Sequence, residues 1–563
     1  MMNTFSRLFL PAVLFLFSAT MILSCKNDAD TSSMEKSVDE IFQEYDAIEK
    51  PGAAVAVVHN GEIVFKKGYG SAHLEYDIPV TMETIFHVAS VSKQFTVFAL
   101  LLLAEEGKLT LDDPIQKYIA EVPDFGEAIT LRHLATHTSG MRDQWDLLNL
   151  AGWRWDDVIT KEHVLKLVAK QKDLNFSPGE QYTYCNTGFT LLAEVVARVS
   201  GQSFAEFTQE RMFTPLNMVN SQFYDDHQKI VRNRSYSYYP TEGGYQKSVL
   251  SYANVGATSL FTTVEDLSLW AMNFKEVKVG SAAIVNQMNT LAVLNDGETF
   301  GGAYGQFVGT YKGLRQIQHS GADAGYRSYL ARFPDQDFAV SVVSNSGASN
   351  PVALALQVAD LYLKEELEEE PEATKEKPKP ITLTENELQA FEGHYWDAKD
   401  LYSRKIQLTE GSLHYDRGNG NTTELAPIST NEFVMLDIPG EVKVTFVSEN
   451  GKDRMIVSEG ETILGALDEY TPLDEASIAM EPYLGSYTSE ELSTTYTLVK
   501  KEGQLVATHP RVSDIPLRFL KMDVFDAGGN TIVFTRDEDN ELSGLEVSTG
   551  RVKNLKFVKN LND

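Results

Sequence analysis

The sequence predicts an α+β protein, with one large domain built on an antiparallel sheet flanked by helices and two antiparallel β modules after it. Three observations lead to this architecture. Strand-like segments at both ends of the first part of the chain belong to one sheet. A charged, proline-rich stretch then divides the chain, and the remainder repeats itself at an offset of 92 residues.

The amino terminus has the pattern of an export signal. Arg7 and the free amino group precede an almost uninterrupted apolar run over residues 8–23, which ends in Leu-Ser-Cys25. A short positive region before an apolar core is typical of secretory signals, and the cysteine is similar to the lipid-carrying residue of a bacterial lipobox. We therefore expect a signal peptide over residues 1–25, with Cys25 lipidated, and a tether over residues 26–38. A signal cut elsewhere and an uncleaved anchor are the alternatives.

Residues 39–367 carry the pattern of the large domain. Asn60-Gly61 is typical of a tight hairpin turn between two strands. Apolar segments of strand type lie at both ends of the domain, at 53–58, 62–65, 329–333 and 338–343. An amphipathic stretch over residues 352–367 favours a closing helix. Both ends of the domain are therefore expected to contribute to a single sheet with helices on its faces.

Two repeated modules follow a linker. Residues 368–382 are charged and contain three prolines, a composition typical of a linker. Phe391-Glu-Gly393-His-Tyr395 returns 92 positions later as Tyr483-Leu-Gly485-Ser-Tyr487. The same offset relates further pairs, which are Gly411 and Gly503, Leu413 and Leu505, Leu425 and Leu517, and Phe433 and Phe525. Short alternating segments broken by glycines indicate barrel or lipocalin-like modules over 383–475 and 476–563. We expect them to be accessory.

The charge balance and the cysteine count exclude two classes of protein. The chain has 49 Lys and Arg against 80 Asp and Glu, a formal net charge of −31. Such a polyanion is repelled by a nucleic acid backbone, so no nucleic-acid partner is expected. The two cysteines, Cys25 and Cys185, allow one bridge at most and rule out a disulfide framework.

Ser90 and Lys93 form the first candidate for chemistry. They lie three residues apart near the start of a segment expected to run as a helix from Phe86 to Glu106, ending at Gly107. A hydroxyl needs a neighbouring base to become a nucleophile, and a partly desolvated lysine has a lowered pKa that suits this role. The spacing alone is weak evidence, because it also occurs at Ser33 in the expected tether.

An ordered set of motifs gives the chain a resemblance to the serine β-lactamase and DD-peptidase-like hydrolases, in particular their class C, D-aminopeptidase and esterase branch. The motifs are Ser90-Val-Ser-Lys93, Leu131–Gly140, Phe176–Gly188, Phe261–Leu267, His319-Ser-Gly321, Gly325–Leu330 and Asn345. The resemblance spans roughly residues 39–364, and each motif is unspecific alone. It implies a β-lactamase-like catalytic domain over residues 39–367.

The resemblance implies three catalytic residues. Ser90 matches the nucleophile that becomes acylated, and Lys93 matches its proton partner. Tyr184 matches the general base, a phenol whose pKa must fall from about 10 to act at neutral pH. Cys185, next to Tyr184, is conceivable as a thiol nucleophile, but a buried position in the core is the better interpretation.

The resemblance also implies the substrate-binding residues. Asn186 matches the residue that orients the substrate amide, and the backbone N–H groups of Ser90 and Ala322 match the oxyanion hole beside Gly321. His319 lies where β-lactamases usually carry lysine. A protonated imidazole there would bind an anionic substrate group, but histidine is largely neutral at pH 7. This departure favours the peptidase and esterase branches over efficient β-lactam hydrolysis.

No metal or other cofactor is expected. His133 and His137 have the spacing of two zinc ligands on one helix face, but Leu134 stands where the metalloprotease motif requires glutamate. The site is therefore expected to act on a small-molecule or peptide substrate without a metal.

The sequence thus predicts an exported serine hydrolase that forms an acyl-enzyme with amide or ester substrates. D-amino-acid peptides, peptidoglycan fragments and small esters are the candidate substrates, and the oligomeric state is open. The expected location is the periplasm or the outer membrane, with the lipid anchor as the membrane attachment. The alternatives are a β-lactam-hydrolysing enzyme of the class C type and a non-enzymatic surface protein that binds through its β modules.

Overall fold

The computed structural model describes residues 33–368 and 380–560, except 419, 437, 439, 440, 450, 451, 461 and 473–477. The signal segment, Cys25 and most of the expected linker lie outside these residues. A first helix, α1 (33–41), already begins within the segment expected to be a tether. Val38 and Phe42 explain this, because both side chains are buried against the sheet and the Phe42 ring stacks on Tyr69 at 4.9 Å.

The first domain combines helices with one large sheet and several short ones. After α1, its helices are α2 (Ser92–Glu105), α3 (Leu131–Ala135), α4 (Gln144–Leu150), α5 (Lys161–Val168), α6 (Asn186–Ser200), α7 (Phe204–Thr208), α8 (Val264–Met272), α9 (Ala282–Met288) and α10 (Pro351–Tyr362). Its strands are β1 (Ala53–His59), β2 (Glu62–Tyr69), β3 (Ser71–His73), β4 (Ile78–Pro79), β5 (Phe86–His87), β6 (Ile159–Thr160), β7 (Gln222–Phe223), β8 (Ser237–Thr241), β9 (Gly244–Ser248), β10 (Tyr252–Ala253), β11 (Leu260–Thr262), β12 (Phe307–Tyr311), β13 (Leu314–Asp323), β14 (Tyr326–Phe333) and β15 (Phe338–Ser344).

The large sheet is antiparallel, in the order β12-β13-β14-β15-β1-β2. Both ends of the domain therefore contribute to it, as predicted. Asn60 and Gly61 have φ values of 54° and 76°, the left-handed conformation that a tight hairpin turn requires. Val55 and Val57 face the core shared with α10, while Ala54 and Ala56 face the larger core that contains α2. The sheet is thus buried on both faces.

One edge of β13 is open where the site forms. Strand β12 pairs with β13 only as far as Phe307 opposite Gln318. Beyond that point, residues 319–323 of β13 pair with β14 on one side and contact the short 3₁₀ turn over residues 89–91 on the other. This arrangement places the nucleophile motif beside the His319-Ser-Gly321 motif.

The repeated region forms two closed eight-stranded antiparallel barrels, which confirms the predicted fold class. After helix α11 (Glu385–Gln389), the first contains β16 (Gly393–Asp397), β17 (Tyr402–Thr409), β18 (Ser412–Asp416), β19 (Thr422–Pro427), β20 (Glu432–Met435), β21 (Val442–Glu449), β22 (Lys452–Glu459) and β23 (Thr462–Tyr470). The second contains β24 (Gly485–Ser489), β25 (Thr494–Lys501), β26 (Gln504–His509), β27 (Val512–Lys521), β28 (Val524–Ala527), β29 (Asn530–Arg536), β30 (Leu542–Ser548) and β31 (Leu555–Lys559). The offset of 92 residues also separates β16 from β24 and β17 from β25.

The second barrel packs directly on the first domain. Arg142 donates from Nη1 to Glu491 Oε2 at 2.8 Å and from Nη2 to the carbonyl oxygens of Lys553 and Asn554, and the ion pair is buried. Leu150, at the end of α4, closes an apolar cavity inside the barrel. The barrel and the first domain therefore share one hydrophobic core. In the described part of the chain, no helix is long and apolar enough to cross a membrane.

Candidate active site

Ser90 lies on a strained turn rather than within a helix. The chain passes from β5 through the 3₁₀ turn 89–91 into α2, which starts at Ser92 and not at Phe86 as expected. Ala89 has φ 46°, a left-handed conformation that is costly for a residue with a Cβ. The buried His87 ring supports this turn, since its Nδ1 accepts the Ala89 N–H at 3.3 Å. The Ser90 side chain thereby sits at the amino-terminal end of α2.

Lys93 is fully buried and points its ammonium group at Ser90. Its Nζ donates to Ser90 Oγ at 3.0 Å, to Asn186 Oδ1 at 2.9 Å and to the Ala257 carbonyl oxygen at 2.7 Å. Burial lowers the pKa of Lys93 to about 7, although the nearby carboxylates of Asp323 and Asp143 oppose the decrease. A substantial fraction of Lys93 is therefore neutral at physiological pH and able to accept a proton from Ser90.

The pKa of Tyr184 is shifted upward, opposite to the decrease that its predicted role as general base requires. Burial raises the pKa of its phenol above the ordinary value, and an interaction with Ser90 only partly opposes this rise. Its ring stacks on His137 at 4.2 Å and lies 4.9 Å from Lys93 Nζ. Tyr184 is thus a neutral phenol beside Ser90, and the group with the lowered pKa is Lys93.

Asn186 connects Lys93 to a buried carboxylate that the sequence motifs did not reveal. At the start of α6, Asn186 donates to Asp143 Oδ2 from its backbone N at 2.6 Å and from Nδ2 at 2.9 Å. Asp143 is also the N-cap of α4, with Oδ1 accepting the Trp145 N–H at 3.0 Å. Both ends of the Asn186 amide are therefore engaged within the protein. Its predicted contact with substrate stays a prediction.

His319 is buried beside Tyr184 and is neutral. Its Nδ1 lies 2.6 Å from the Ser320 carbonyl oxygen, and its ring centroid lies 6.1 Å from that of Tyr184. Burial lowers the pKa of His319 to about 3, so the imidazolium considered for anionic substrates does not form at neutral pH. Its Nε2 has no hydrogen-bond partner among the described residues.

Gly321 allows β13 to approach Ser90 closely. A Cβ at this position would overlap the Val88 carbonyl oxygen and Ser328 Oγ and would lie 3.0 Å from the Ser90 nitrogen. Ala322, the next residue, is exposed at the open edge of the strand. The structure therefore brings the predicted oxyanion residues, Ser90 and Ala322, to the same junction.

Asp323 adds a carboxylate at the end of β13. Its Oδ2 accepts a hydrogen bond from Thr258, the neighbour of the Ala257 carbonyl that binds Lys93. The side chain is 18% exposed, whereas that of Asp143 is fully buried. Burial raises the pKa of Asp323 to about 6, which the Lys93 charge partly opposes. Asp323 is therefore the carboxylate near Lys93 that solvent reaches.

Arg551, from the loop between β30 and β31 of the second barrel, also borders the site. Its guanidinium carbon lies 5.7 Å from the Tyr184 ring centroid, and its Nη1 lies 3.6 Å from Asp143 Oδ2. Its backbone carbonyl accepts the Asp143 N–H at 3.2 Å, and its own N–H donates to Asp146. Sequence reasoning missed Arg551, because no local pattern indicates which loop of a distant module docks here.

The other candidate residues have structural roles. Cys185 is buried, as expected, with its backbone N–H donating to His137 Nδ1 at 2.9 Å, and burial raises the pKa of its thiol to about 12. His133 accepts the Thr130 N–H in the capping box at the start of α3. His133 and His137 thus each accept a hydrogen bond from a backbone N–H group.

The fold and the site define the class of the protein. A serine on a strained turn, a buried lysine in contact with its hydroxyl and a tyrosine against both, set between a helical region and the edge of an antiparallel sheet, make this chain a serine hydrolase.

Comparison with known families identifies it further. The family model described as Beta-lactamase matches residues 38–363, more than half of the chain, so the chain belongs to the Beta-lactamase family. It is similar to a D-aminopeptidase of Brucella anthropi, with 26% identity over 551 residues that cover 94% of this chain and 98% of that protein. A D-aminopeptidase of Brucella canis gives 26% identity over 555 residues, covering 94% and 99%.

Solved structures show the same fold. The octameric penicillin-binding protein homologue from Pyrococcus abyssi aligns with a TM-score of 0.55 and 25% identity, over 78% of this chain and all of that one. The D-amino acid amidase from Ochrobactrum anthropi SV3, solved with L-phenylalanine amide, aligns with a TM-score of 0.50 and 19% identity over 59% of this chain and 99% of its own. At that identity, the second likeness concerns the fold alone.

Proposed function

We propose that this protein is a D-aminopeptidase, which hydrolyses the amide bond after an N-terminal D-amino acid through an acyl-enzyme on Ser90. The contact between Lys93 Nζ and Ser90 Oγ carries the proposal, because it pairs a hydroxyl with a base of suitable pKa. Relatives with this name align along almost the whole chain, including both barrels.

In the acylation step, neutral Lys93 accepts the Ser90 proton while Oγ attacks the scissile carbonyl carbon. The N–H groups of Ser90 and Ala322 stabilise the oxyanion. The Tyr184 phenol donates its proton to the departing amine and regains one from the Lys93 ammonium, so the serine proton leaves with the amine. Water then attacks the ester, and its proton returns through the same pair to Ser90 as the acid is released.

A free ammonium group is the second feature of the proposed substrate. In an N-terminal residue, the α-ammonium lies next to the scissile carbonyl, within reach of a carboxylate near the nucleophile. Asp323 is partly exposed there, while Asp143 already binds Asn186. His319 offers no positive charge for a substrate carboxylate. These charges favour an aminopeptidase over a β-lactam-hydrolysing enzyme.

We also propose that the protein is exported and anchored by lipid on Cys25. The signal-like segment before that cysteine supports this proposal. Labelling with a fatty-acid probe in cells is expected for the full chain and not for Cys25→Ala. Equal labelling of both would contradict the anchor.

The function is tested with three related p-nitroanilides, those of D-alanine, L-alanine and N-acetyl-D-alanine. We expect turnover of the D-alanine substrate, little turnover of the other two, and none by Ser90→Ala. Asp323→Asn should reduce kcat/KM for D-alanine p-nitroanilide by about 10-fold or more, the loss of one charge-assisted contact. Preferred hydrolysis of the acetylated substrate, or faster hydrolysis of the β-lactam nitrocefin, would contradict the aminopeptidase assignment.

A further inference from the structure

A cavity lies in the first domain, next to the end of β14 that is farther from Ser328. It is therefore away from the turn over residues 89–91 that carries Ser90. Val58, Leu216, Met272 and Phe338 are among its apolar lining residues, and Arg332 and Phe274, which contact each other, also line it. Its volume of about 80 Å³ is several times what one water molecule needs. The mechanism uses none of these residues.

Arg332 lines this cavity with its charge unpaired. The residue is 5% exposed, and its Nη2 donates to two neutral oxygens, Gln306 Oε1 at 2.9 Å and Asn289 Oδ1 at 3.4 Å. Its Nε and Nη1 have no hydrogen-bond partner among the described residues. The Phe274 ring covers one face of the guanidinium at 3.6 Å. A carboxylate could therefore bind these two nitrogens side by side.

Arg142 shows what a buried arginine normally requires. Arg142 and Arg332 are the two buried arginines in the described part of the chain, and Arg142 binds Glu491 at 2.8 Å. No carboxylate lies within ion-pair distance of Arg332 among the described residues. An unpaired buried charge costs free energy, which an anion in the cavity would recover. Burial accordingly lowers the pKa of Arg332, to about 9.

Charges at the cavity rim do not replace that anion. Asp337 and Glu276 are acidic, but Lys275 and Lys278 lie at the same rim, and Lys275 Nζ is 3.9 Å from Asp337. The rim is therefore balanced overall, and the interior carries the Arg332 charge within apolar walls. This combination suits a molecule with one negative group and an apolar body.

We propose that this cavity is a binding site for a small organic monocarboxylate, held by Arg332 Nε and Nη1 with its apolar part against Phe274, Met272 and Phe338. The apolar walls select against inorganic anions, which would lose their hydration without compensation. The cavity volume limits the apolar part to about the size of one ring or a short alkyl chain.

The test uses 4-fluorobenzoate and its neutral analogue 4-fluorobenzamide, observed by ¹⁹F NMR with the full chain. Ser90 is first blocked by a fluorophosphonate, so that the active site does not contribute. We expect saturable binding of the benzoate and at least 10-fold weaker binding of the benzamide. Equal binding of the two, or no binding of the benzoate, would overturn the proposal.

Three variants locate the binding. Arg332→Met should abolish benzoate binding, while Arg518→Met, which removes an exposed arginine from β27 of the second barrel, should leave it unchanged. Met272→Trp keeps Arg332 but fills the cavity, so it should also abolish binding. This second variant keeps the test valid if Arg332→Met does not fold. Turnover of an alanine p-nitroanilide by unblocked samples verifies folding. Retained binding in folded Met272→Trp or Arg332→Met would place the benzoate elsewhere and refute the site.

Discussion

At the scale of single residues, the site depends on how charges around Lys93 set its protonation. Asp323 and Asp143 raise the pKa of Lys93, whereas burial and Arg551 lower it, and the result is about 7. The pKa of Tyr184 shifts upward instead, because burial disfavours its phenolate. In the proposed mechanism, Lys93 therefore accepts the Ser90 proton, and Tyr184 donates a proton to the leaving group.

Asp323→Asn should move the pH profile of acylation to lower pH. A negative charge stabilises the Lys93 ammonium and so raises its pKa, and its removal lowers that pKa. In the unmodified enzyme, kcat/KM should rise with pH around a midpoint near 7, because the neutral amine is the active form. The substrate for this measurement is p-nitrophenyl propionate, which has no amino group that titrates. A midpoint that stays in place would contradict the charge coupling.

Arg551→Met should move the same midpoint to higher pH. Arg551 is a positive neighbour that lowers the pKa of Lys93, so its removal favours the ammonium. The two substitutions thus have opposite expected signs in the same assay. A general loss of structure would not produce opposite shifts. Shifts in the same direction would show that Arg551 does not act on Lys93 through its charge.

At the scale of elements, the turn over residues 89–91, which carries Ser90, must pack closely against the open edge of β13. Ala89 holds a left-handed conformation between β5 and α2, and Ser328 Oγ donates to the Val88 carbonyl at 2.7 Å. Gly321 provides the space for this contact. The hairpin, the sheet and the order of the motifs could be predicted because each depends on local residue patterns. The start of α2 could not, because the turn depends on the His87 ring, which contacts Thr258 from a distant segment of the chain.

Gly321→Ala should reduce kcat/KM by about 100-fold while the protein remains folded, since displacing the Ser90 turn by a fraction of an ångström misaligns the attack. Gly309→Ala is the matched control on β12 of the same sheet, where a Cβ meets nothing within 4 Å. Kinetics with D-alanine p-nitroanilide and circular dichroism together distinguish misalignment from unfolding. Full activity of Gly321→Ala would show that the close approach is not required.

At the scale of the whole molecule, a loop of the second barrel borders the candidate active site. The repeat correctly predicted two β modules, and their expected accessory role stays a prediction. The contact of Arg551 with the site was not foreseen. That contact depends on Arg142, Asp143 and Asp146 meeting a loop some 400 residues later in the chain. No periodicity or motif encodes such a docking, so the sequence alone could not indicate it.

Glu491→Gln should lower the free energy of unfolding by about 3 kcal/mol, because it leaves the Arg142 charge buried and unpaired. The neighbouring Glu490→Gln is the control, since the Lys172–Glu490 pair is exposed and should contribute little. Chemical denaturation of the full chain measures both. Equal stability of the two variants would mean that the buried pair does not hold the barrel in place.

In the proposed reaction, Ser90 forms an acyl-enzyme with D-aminoacyl substrates. Rapid quenching of the enzyme with D-alanine p-nitrophenyl ester, followed by intact-mass measurement and peptide mapping, tests it most directly. We expect one D-alanyl group on Ser90, no adduct on Ser90→Ala, and much less adduct from the L enantiomer. An adduct on another residue, or equal labelling by both enantiomers, would contradict it.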